Sequence, residues 1–198
     1  MSFAGNSLSV RVATSGDKSQ SIETLMLAFA ADPVLRWCLG SASDYLAHFS
    51  ELVTAYAGMA FDCGTALCEE GFKGVALWLP PGVSADDDAF VAVVERTLDP
   101  EKRQILRNVI GQVETAHPAG PHWTLPLLGV DPGHQGKGVG AALISTMLER
   151  IDGEALPAYI ESTNPKNLTL YERFGFQRLG VVRPEGRPPL FPMIRPVK

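Results

Sequence analysis

The chain has 198 residues, 45% of them hydrophobic and 20% charged, the balance of a soluble globular protein with enough length for a sizeable core. Its formal net charge of −5 argues against nucleic acid as the main partner and suits a cationic one such as an amine. No apolar run approaches the ~18 residues of a membrane span, and no basic stretch at the start leads into an apolar one, so no membrane or secretory segment is expected.

In chain order, Leu8 to Ala13 alternates as a strand does, and Asp17 to Ala31 has helical spacing with Ile22, Leu25, Met26 and Phe29 on one face. Asp32-Pro33 interrupts that helix. A second helix is expected from about Asp44 to Phe61, with Leu46, Phe49, Leu52, Val53 and Tyr56 inward. Thr65–Cys68 and Gly74–Leu79 form a hairpin around Glu69-Glu70-Gly71, and Pro80-Pro81-Gly82 stops its second strand. Residues 84–116 hold two further helical patterns. One buries Phe90, Val93 and Val94; the other buries Ile105, Leu106, Val109, Ile110 and Val113. His122 to Val130 reads as a central strand, Val139 to Ile151 as a helix, and Leu156 to Ser162 as a strand. Asn167 to Phe174 reads as a short helix stopped by Gly175, and Phe176–Val182 and Leu190–Ile194 as closing strands. No repeat, linker or low-complexity tract interrupts this, and residues 8–197 are expected to form one domain.

The most informative stretch is Leu127-Leu-Gly-Val-Asp-Pro-Gly-His-Gln-Gly-Lys-Gly-Val-Gly-Ala-Ala-Leu143: strand, glycine-rich loop, helix start. Glycines let backbone approach an anion, and the unpaired N–H groups and dipole of a helix's first turn favour it there. A phosphorylated ligand is therefore expected. The nucleotide P-loop pattern fails, because Asp131 stands where its first glycine belongs and Gly138 follows Lys137 in place of Ser or Thr. The dinucleotide fingerprint fits literally as Gly136-Lys-Gly138-Val-Gly-Ala141, with Glu161 downstream. Its context is wrong, since five residues separate Val130 from the first glycine. The third pattern, Gln135-Gly136-Lys137-Gly138-Val139-Gly140, resembles the acetyl-CoA pyrophosphate loop of the GNAT N-acetyltransferase superfamily. Ala158-Tyr-Ile-Glu-Ser-Thr-Asn-Pro-Lys-Asn167 and Leu168-Thr-Leu-Tyr-Glu-Arg-Phe-Gly-Phe176 resemble the next strand, loop and short helix of that family. The likeness is specific over Trp123 to Leu179. Val75–Gly82 and Pro188–Met193 resemble the branch that includes puromycin N-acetyltransferase.

That resemblance implies a mixed α/β fold: a strongly twisted sheet with flanking helices, whose central strands splay near Val130 and Ser162 to admit the coenzyme's pantetheine arm. It makes residues 84–116 an insertion that either shapes a substrate pocket or thickens the core. It implies an acetyl-CoA co-substrate held by Leu128, Gly129 and Val130 of the strand and by Gln135, Gly136, Lys137, Gly138, Val139, Gly140 and Ala141 of the loop and helix start. The main-chain N–H of Val130 is assigned to the thioester oxygen, a donor typically worth roughly 3–4 kcal/mol. Asn167 either binds pantetheine or caps the helix.

Acetyl transfer needs a deprotonated amine and a protonated leaving thiolate. An alkyl amine of pKa ~10.4 is free in about one molecule per few thousand at pH 7. Tyr171 matches the family's acid for the thiolate and also fits as a core aromatic with Leu168 and Phe174. Glu161 is the candidate base, with a strand-end acid as the plain alternative; Glu69, Glu70, Asp62 and His122 are weaker choices, and a water chain could replace them all. The three cysteines, Cys38, Cys63 and Cys68, are odd in number and form no C-x-x-C pair, as in a reduced cytoplasmic protein. The histidines lack ligand spacing, so no metal is expected. No Ser or Cys sits in an activating motif, so direct transfer to a small-molecule amine in a ternary complex is expected, with no acyl-enzyme. The chain is expected to work as a monomer or homodimer. A non-catalytic acyl-CoA sensor is the alternative reading, and a nicotinamide-dependent oxidoreductase a remote one.

Overall fold

The computed structural model describes residues 8–198; the reading of the N-terminus as free of a leader falls in part on residues 1–7, outside the described residues. Seven strands form one sheet: β1 (Val10–Val12), β2 (Ala66–Glu69), β3 (Gly74–Leu79), β4 (Trp123–Val130), β5 (Ala158–Ser162), β6 (Gln177–Arg178) and β7 (Phe191–Arg195). Their order is β1-β2-β3-β4-β5-β7-β6. Every neighbouring pair is antiparallel except β4 and β5, which are parallel. The helices are α1 (Lys18–Ala28), α2 (Pro33–Cys38), α3 (Ala42–Ala57), α4 (Met59–Asp62), α5 (Asp87–Thr97), α6 (Pro100–Glu114), α7 (Val139–Gly153) and α8 (Leu168–Arg173). Among the described residues no helix is long and apolar enough to cross a membrane.

Both faces of the sheet are covered. Cys68, Val75, Leu77 and Leu127 pack with Leu25 of α1 and Phe49 and Val53 of α3. Leu67, Ala76, Trp78 and Leu125 point the other way, onto Leu143, Ile144 and Met147 of α7 and Leu168 and Tyr171 of α8. This alternation within β2 and β3 is the period-2 geometry of a strand buried on both sides. The expected α7 stripe of Val139, Leu143, Met147 and Ile151 is fully buried. Two glycines set the layer spacing: a Cβ on Gly74 would lie 2.6 Å from a Val139 methyl, and one on Gly129 would lie 2.8 Å from Ala28 Cβ.

Several local expectations need correcting. Asp32-Pro33 does more than stop a helix. The Asp32 carboxylate accepts from the N–H groups of Val34 and Leu35, both at 3.0 Å, and starts α2. In α3, Leu46 is 66% exposed, and Tyr45 takes the inward place with its hydroxyl donating to Met26 O at 2.7 Å. In α6, Ile110 is 38% exposed, while Val109 and Val113 join Val34 and Leu190 in a third, small cluster. Phe90 and Val94 of α5 are only half-buried because they face a cavity.

Candidate functional site

The site forms where β4 and β5 part. They pair only at Trp123↔Ala158, Thr124↔Tyr159 and Leu125↔Ile160. Beyond that, β4 stays on β3 through Val130↔Gly74, and β5 stays on β7 through Ser162↔Phe191. The divergence is built into β4. Between Leu127↔Leu77 and Thr124↔Leu79 it carries one more residue than β3, a bulge at Leu125–Pro126, where proline has no N–H to lose. Past the bulge, Asp131 N–H donates to Lys73 O at 2.9 Å. Position 131 is thus a hydrogen-bonded pair with β3, so at Val130, and again at Leu128, the amide and carbonyl face away from β3, toward the gap. Consistent with this, Val130 O accepts from the Gln135 side chain at 3.2 Å.

The glycine loop leaves β4 at this point. Asp131 closes the first turn by accepting from Gly133 N–H at 2.7 Å. Gly136 and Gly138 have φ of +72° and +85°, left-handed values that cost an L-residue roughly 1–2 kcal/mol. Gly138 is the N-cap of α7 and supplies no side-chain cap. The first helical bond is Ala142 N–H to Gly138 O at 2.9 Å. The N–H groups of Val139, Gly140 and Ala141 therefore have no acceptor in the described residues, on a helix of 15 residues. That is the anion cradle the sequence leads one to expect. Two side chains there bond within the loop itself. Gln135 holds its own loop through Val130 O, and Lys137 Nζ donates back to Gly133 O at 2.8 Å.

A cavity of about 680 Å³ runs from this gap across to α5 and α6. Leu128, Asn167 and Tyr171 line its end at the gap; Glu161, His117, His122 and Arg187 line it with apolar residues such as Leu35, Tyr56, Phe90 and Val94. Tyr171 is buried, its ring edge-on to Phe176 at 6.0 Å between centroids. Burial, with a smaller contribution from the Asp32 charge, pushes its phenol above the usual tyrosine range, so it stays protonated. Asp32 itself accepts a hydrogen bond from the hydroxyl of Thr163, the residue that follows β5. Asn167 is not a side-chain cap: it makes no cap bond, and Asn164 instead accepts from Lys166 N–H at 3.0 Å. The Asn167 amide is left to the cavity.

Glu161 is half-buried near the end of β5, with Oε1 3.1 Å from His117 Nε2. His117 Nδ1 lies 3.3 Å from His122 Nε2, and His122 Nδ1 lies 2.9 Å from Gly120 O. Each of these three contacts needs one proton, and two neutral imidazoles supply only two. The set as built therefore has room for one proton beyond two neutral rings and a carboxylate. His117 was not expected at the site. It follows α6 with no motif around it, and only the fold brings it 44 positions along the chain to Glu161. Of the weaker base candidates, His122 lines the cavity beside His117, and the three acids fall away. Glu69 accepts from Gly71 N–H at 2.9 Å and from Lys73 Nζ at 3.1 Å in the β2–β3 turn. Glu70 and Asp62 are exposed, and none of the three lines the cavity. Cys38 does line it, but burial raises its thiol to about 11. A thiol that stays protonated is a poor nucleophile.

Comparison with known proteins agrees with this construction. Residues 86–178 match the model of an acetyltransferase (GNAT) domain. An uncharacterised N-acetyltransferase of Schizosaccharomyces pombe is 30% identical over 198 residues, covering 90% of this chain and 79% of that protein. Among solved structures, a Corynebacterium glutamicum protein of the class of histone acetyltransferase HPA2 and related acetyltransferases is 26% identical, with a TM-score of 0.66 and coverage of 96% of this chain and 97% of that one. The Drosophila melanogaster polyamine N-acetyltransferase has the same fold at 18% identity, with a TM-score of 0.65 over 94% of this chain and 98% of its own. A parted strand pair, a glycine cradle and kinship along most of the chain lead to one conclusion: this protein belongs to the GNAT family and is an N-acetyltransferase.

Proposed function

We propose that this protein transfers an acetyl group from acetyl-CoA directly to the primary amine of a bound small molecule. The observation that carries the reading is the stretch of β4 from Pro126 to Val130 that has no pairing with β5, beside the open N-terminus of α7. In this reading the diphosphate sits on the amides of residues 138–141, with Gly136 and Gly138 shaping the loop. The pantetheine arm lies along Leu128, Gly129 and Val130 as an added strand would, within reach of Asn167. The outward N–H of Val130 then faces the thioester oxygen, where charge develops.

The proton path follows from the remaining residues. Glu161 faces the entering ammonium and takes its proton, directly or through water. His117, the most exposed of the three, carries that path to solvent with His122 beside it. Tyr171, held neutral by its burial, donates to the departing sulfur. Protonated Cys38 supports transfer without an acyl-enzyme. α5 and α6 close the acceptor side, which fits a small molecule enclosed by Phe90, Val94 and Leu106. The related Drosophila enzyme forms N-acetylagmatine, which supports an amine acceptor of small size.

Titration calorimetry with acetyl-CoA, followed by thiol release over a panel of amines, tests the reading. Saturable 1:1 binding and intersecting double-reciprocal plots are expected. Absence of acetyl-CoA binding, or parallel plots from ping-pong exchange, would refute it.

A further inference from the structure

The acceptor side of the cavity, as read above, holds a charge that transfer to a simple amine does not use. Arg187, in the loop between β6 and β7, is the only arginine or lysine among the described residues lining the cavity. Its Nε and Nη1 are closed off from solvent and have no hydrogen-bond partner. The acids around it are engaged elsewhere: Glu161 with His117, and Asp32 with two backbone amides and Thr163. A guanidinium stays charged at neutral pH, and leaving it unpaired away from water is costly. Burial pushes its pKa below the usual arginine value, in keeping with that cost.

The group is also held in place. Its guanidinium carbon lies 5.3 Å from the centre of the Trp37 ring. Trp37 Nε1 donates to Gly186 O at 2.7 Å, which fastens the Arg187 loop to α2. Lys102 of α6 sits 5.4 Å from the centre of the same ring and donates to Trp37 O at 2.9 Å. Three elements thus fix a cation at the wall of an otherwise mostly apolar chamber, with no protein anion on it. Fixed, desolvated donors of this kind recognise an oxyanion.

We infer that Arg187 is an anion subsite and that the acceptor is a zwitterion: a primary amine carrying a carboxylate, joined by an apolar body. The ammonium end faces Glu161 and the carboxylate faces Arg187, so one molecule bridges two opposite charges that do not pair with each other. A diamine or guanidinoamine of similar length places its second cation against Arg187 and is disfavoured.

The test is thiol release from acetyl-CoA with matched acceptors: 4-(aminomethyl)benzoate against benzylamine, 6-aminohexanoate against pentylamine, and agmatine. The carboxylates should exceed their twins in kcat/KM by about 10- to 100-fold, mostly through KM. Arg187→Met should collapse that ratio toward one, and Arg187→Lys should restore part of it. Titrating 4-(aminomethyl)benzoate and 6-aminohexanoate into the CoA-loaded protein reads binding without turnover, and their heats should be lost in Arg187→Met. If Arg187→Met no longer binds acetyl-CoA, the wild-type ranking and Arg187→Lys decide. A preference for agmatine or for the decarboxylated twins, a ratio that survives Arg187→Met, or no heat from either carboxylate overturns the subsite. Acetyl-CoA binding without the carboxylate preference removes this inference alone; no acetyl-CoA binding removes the coenzyme reading itself.

Discussion

Replacing Gly129 by alanine tests whether the α1–β4 packing beside the coenzyme gap is as tight as described. The added Cβ would lie 2.8 Å from Ala28 Cβ, 2.8 Å from Leu25 Cδ2 and 3.3 Å from Phe29 Cε2. Leu25 is fully buried and cannot swing aside, and Ala28 has no side chain to move. The helix must therefore retreat by roughly half an ångström along its contact with the strand, an overpacking that costs about 1–3 kcal/mol. With a urea slope of about 2 kcal/mol/M, the unfolding midpoint should fall by about 0.5–1.5 M. Gly140→Ala is the matched control. It sits in the first turn of α7, where the new Cβ finds Val130 Cγ2 at 3.5 Å and Leu170 Cδ2 at 3.7 Å, ordinary contacts. Its stability should be unchanged or higher by up to about 1 kcal/mol. Urea unfolding followed by circular dichroism measures both. A Gly129→Ala midpoint equal to wild type, or equal losses in the two variants, would refute the packing argument.

Tyr171→Phe keeps the buried ring on Phe176 and removes only the donor, so acetyl-CoA affinity should hold while kcat falls by about 10²–10³; turnover within threefold of wild type would end its role as acid. Because burial raises that phenol, the wild-type kcat should not decline on the alkaline side below about pH 10 through this group. Gly138→Ala forces a Cβ onto φ +85° at the N-cap of α7, and calorimetry should show acetyl-CoA binding weakened by about tenfold for roughly 1–2 kcal/mol of strain. Asp152 receives two bonds from the buried Arg195, at 2.6 and 2.9 Å, and that hydrogen bonding holds its carboxyl below the usual range. The pair's contribution is therefore present above the unfolded pKa of ~3.9 and is lost as pH falls through the lower folded value. Asp152→Asn should cost about 1–3 kcal/mol at pH 7, discounted for the partly exposed carboxylate, with the gap to wild type closing below about pH 4.

How much of this was legible in the chain depends on whether the information was local. The cradle was, because left-handed φ at 136 and 138 demands glycine and the α7 stripe repeats every three to four residues. So was the tyrosine of α8, though its burial satisfies the catalytic and the core readings together. Leu46 and Ile110 were misplaced because helical spacing leaves the edges of a buried stripe undecided; the neighbour across the interface decides, and Tyr45 had a carbonyl to reach. His117 and Arg187 carry no motif. They matter through Glu161 and Trp37, partners far along the chain that only the fold supplies.

The bulge in β4 is the sharpest case. Composition marks Pro126 as an unwelcome residue in a central strand and goes no further. Yet one extra residue at that point reverses which amides face β3 and which face the gap. Without it, strict alternation from Trp123, whose N–H donates to Pro157 O at 3.0 Å on the β5 side, would aim the N–H of residue 129 at the gap and that of Val130 at β3. The donor at Val130 and the carbonyl that anchors Gln135 both depend on that shift of parity, and so does the parting of β4 from β5. Deleting Pro126 would take out the extra residue and move Val130 one place back, so regular pairing with β3 would keep Val130 opposite Gly74 with its amide aimed at the gap; the bulge is what a strand of this length needs to present that amide.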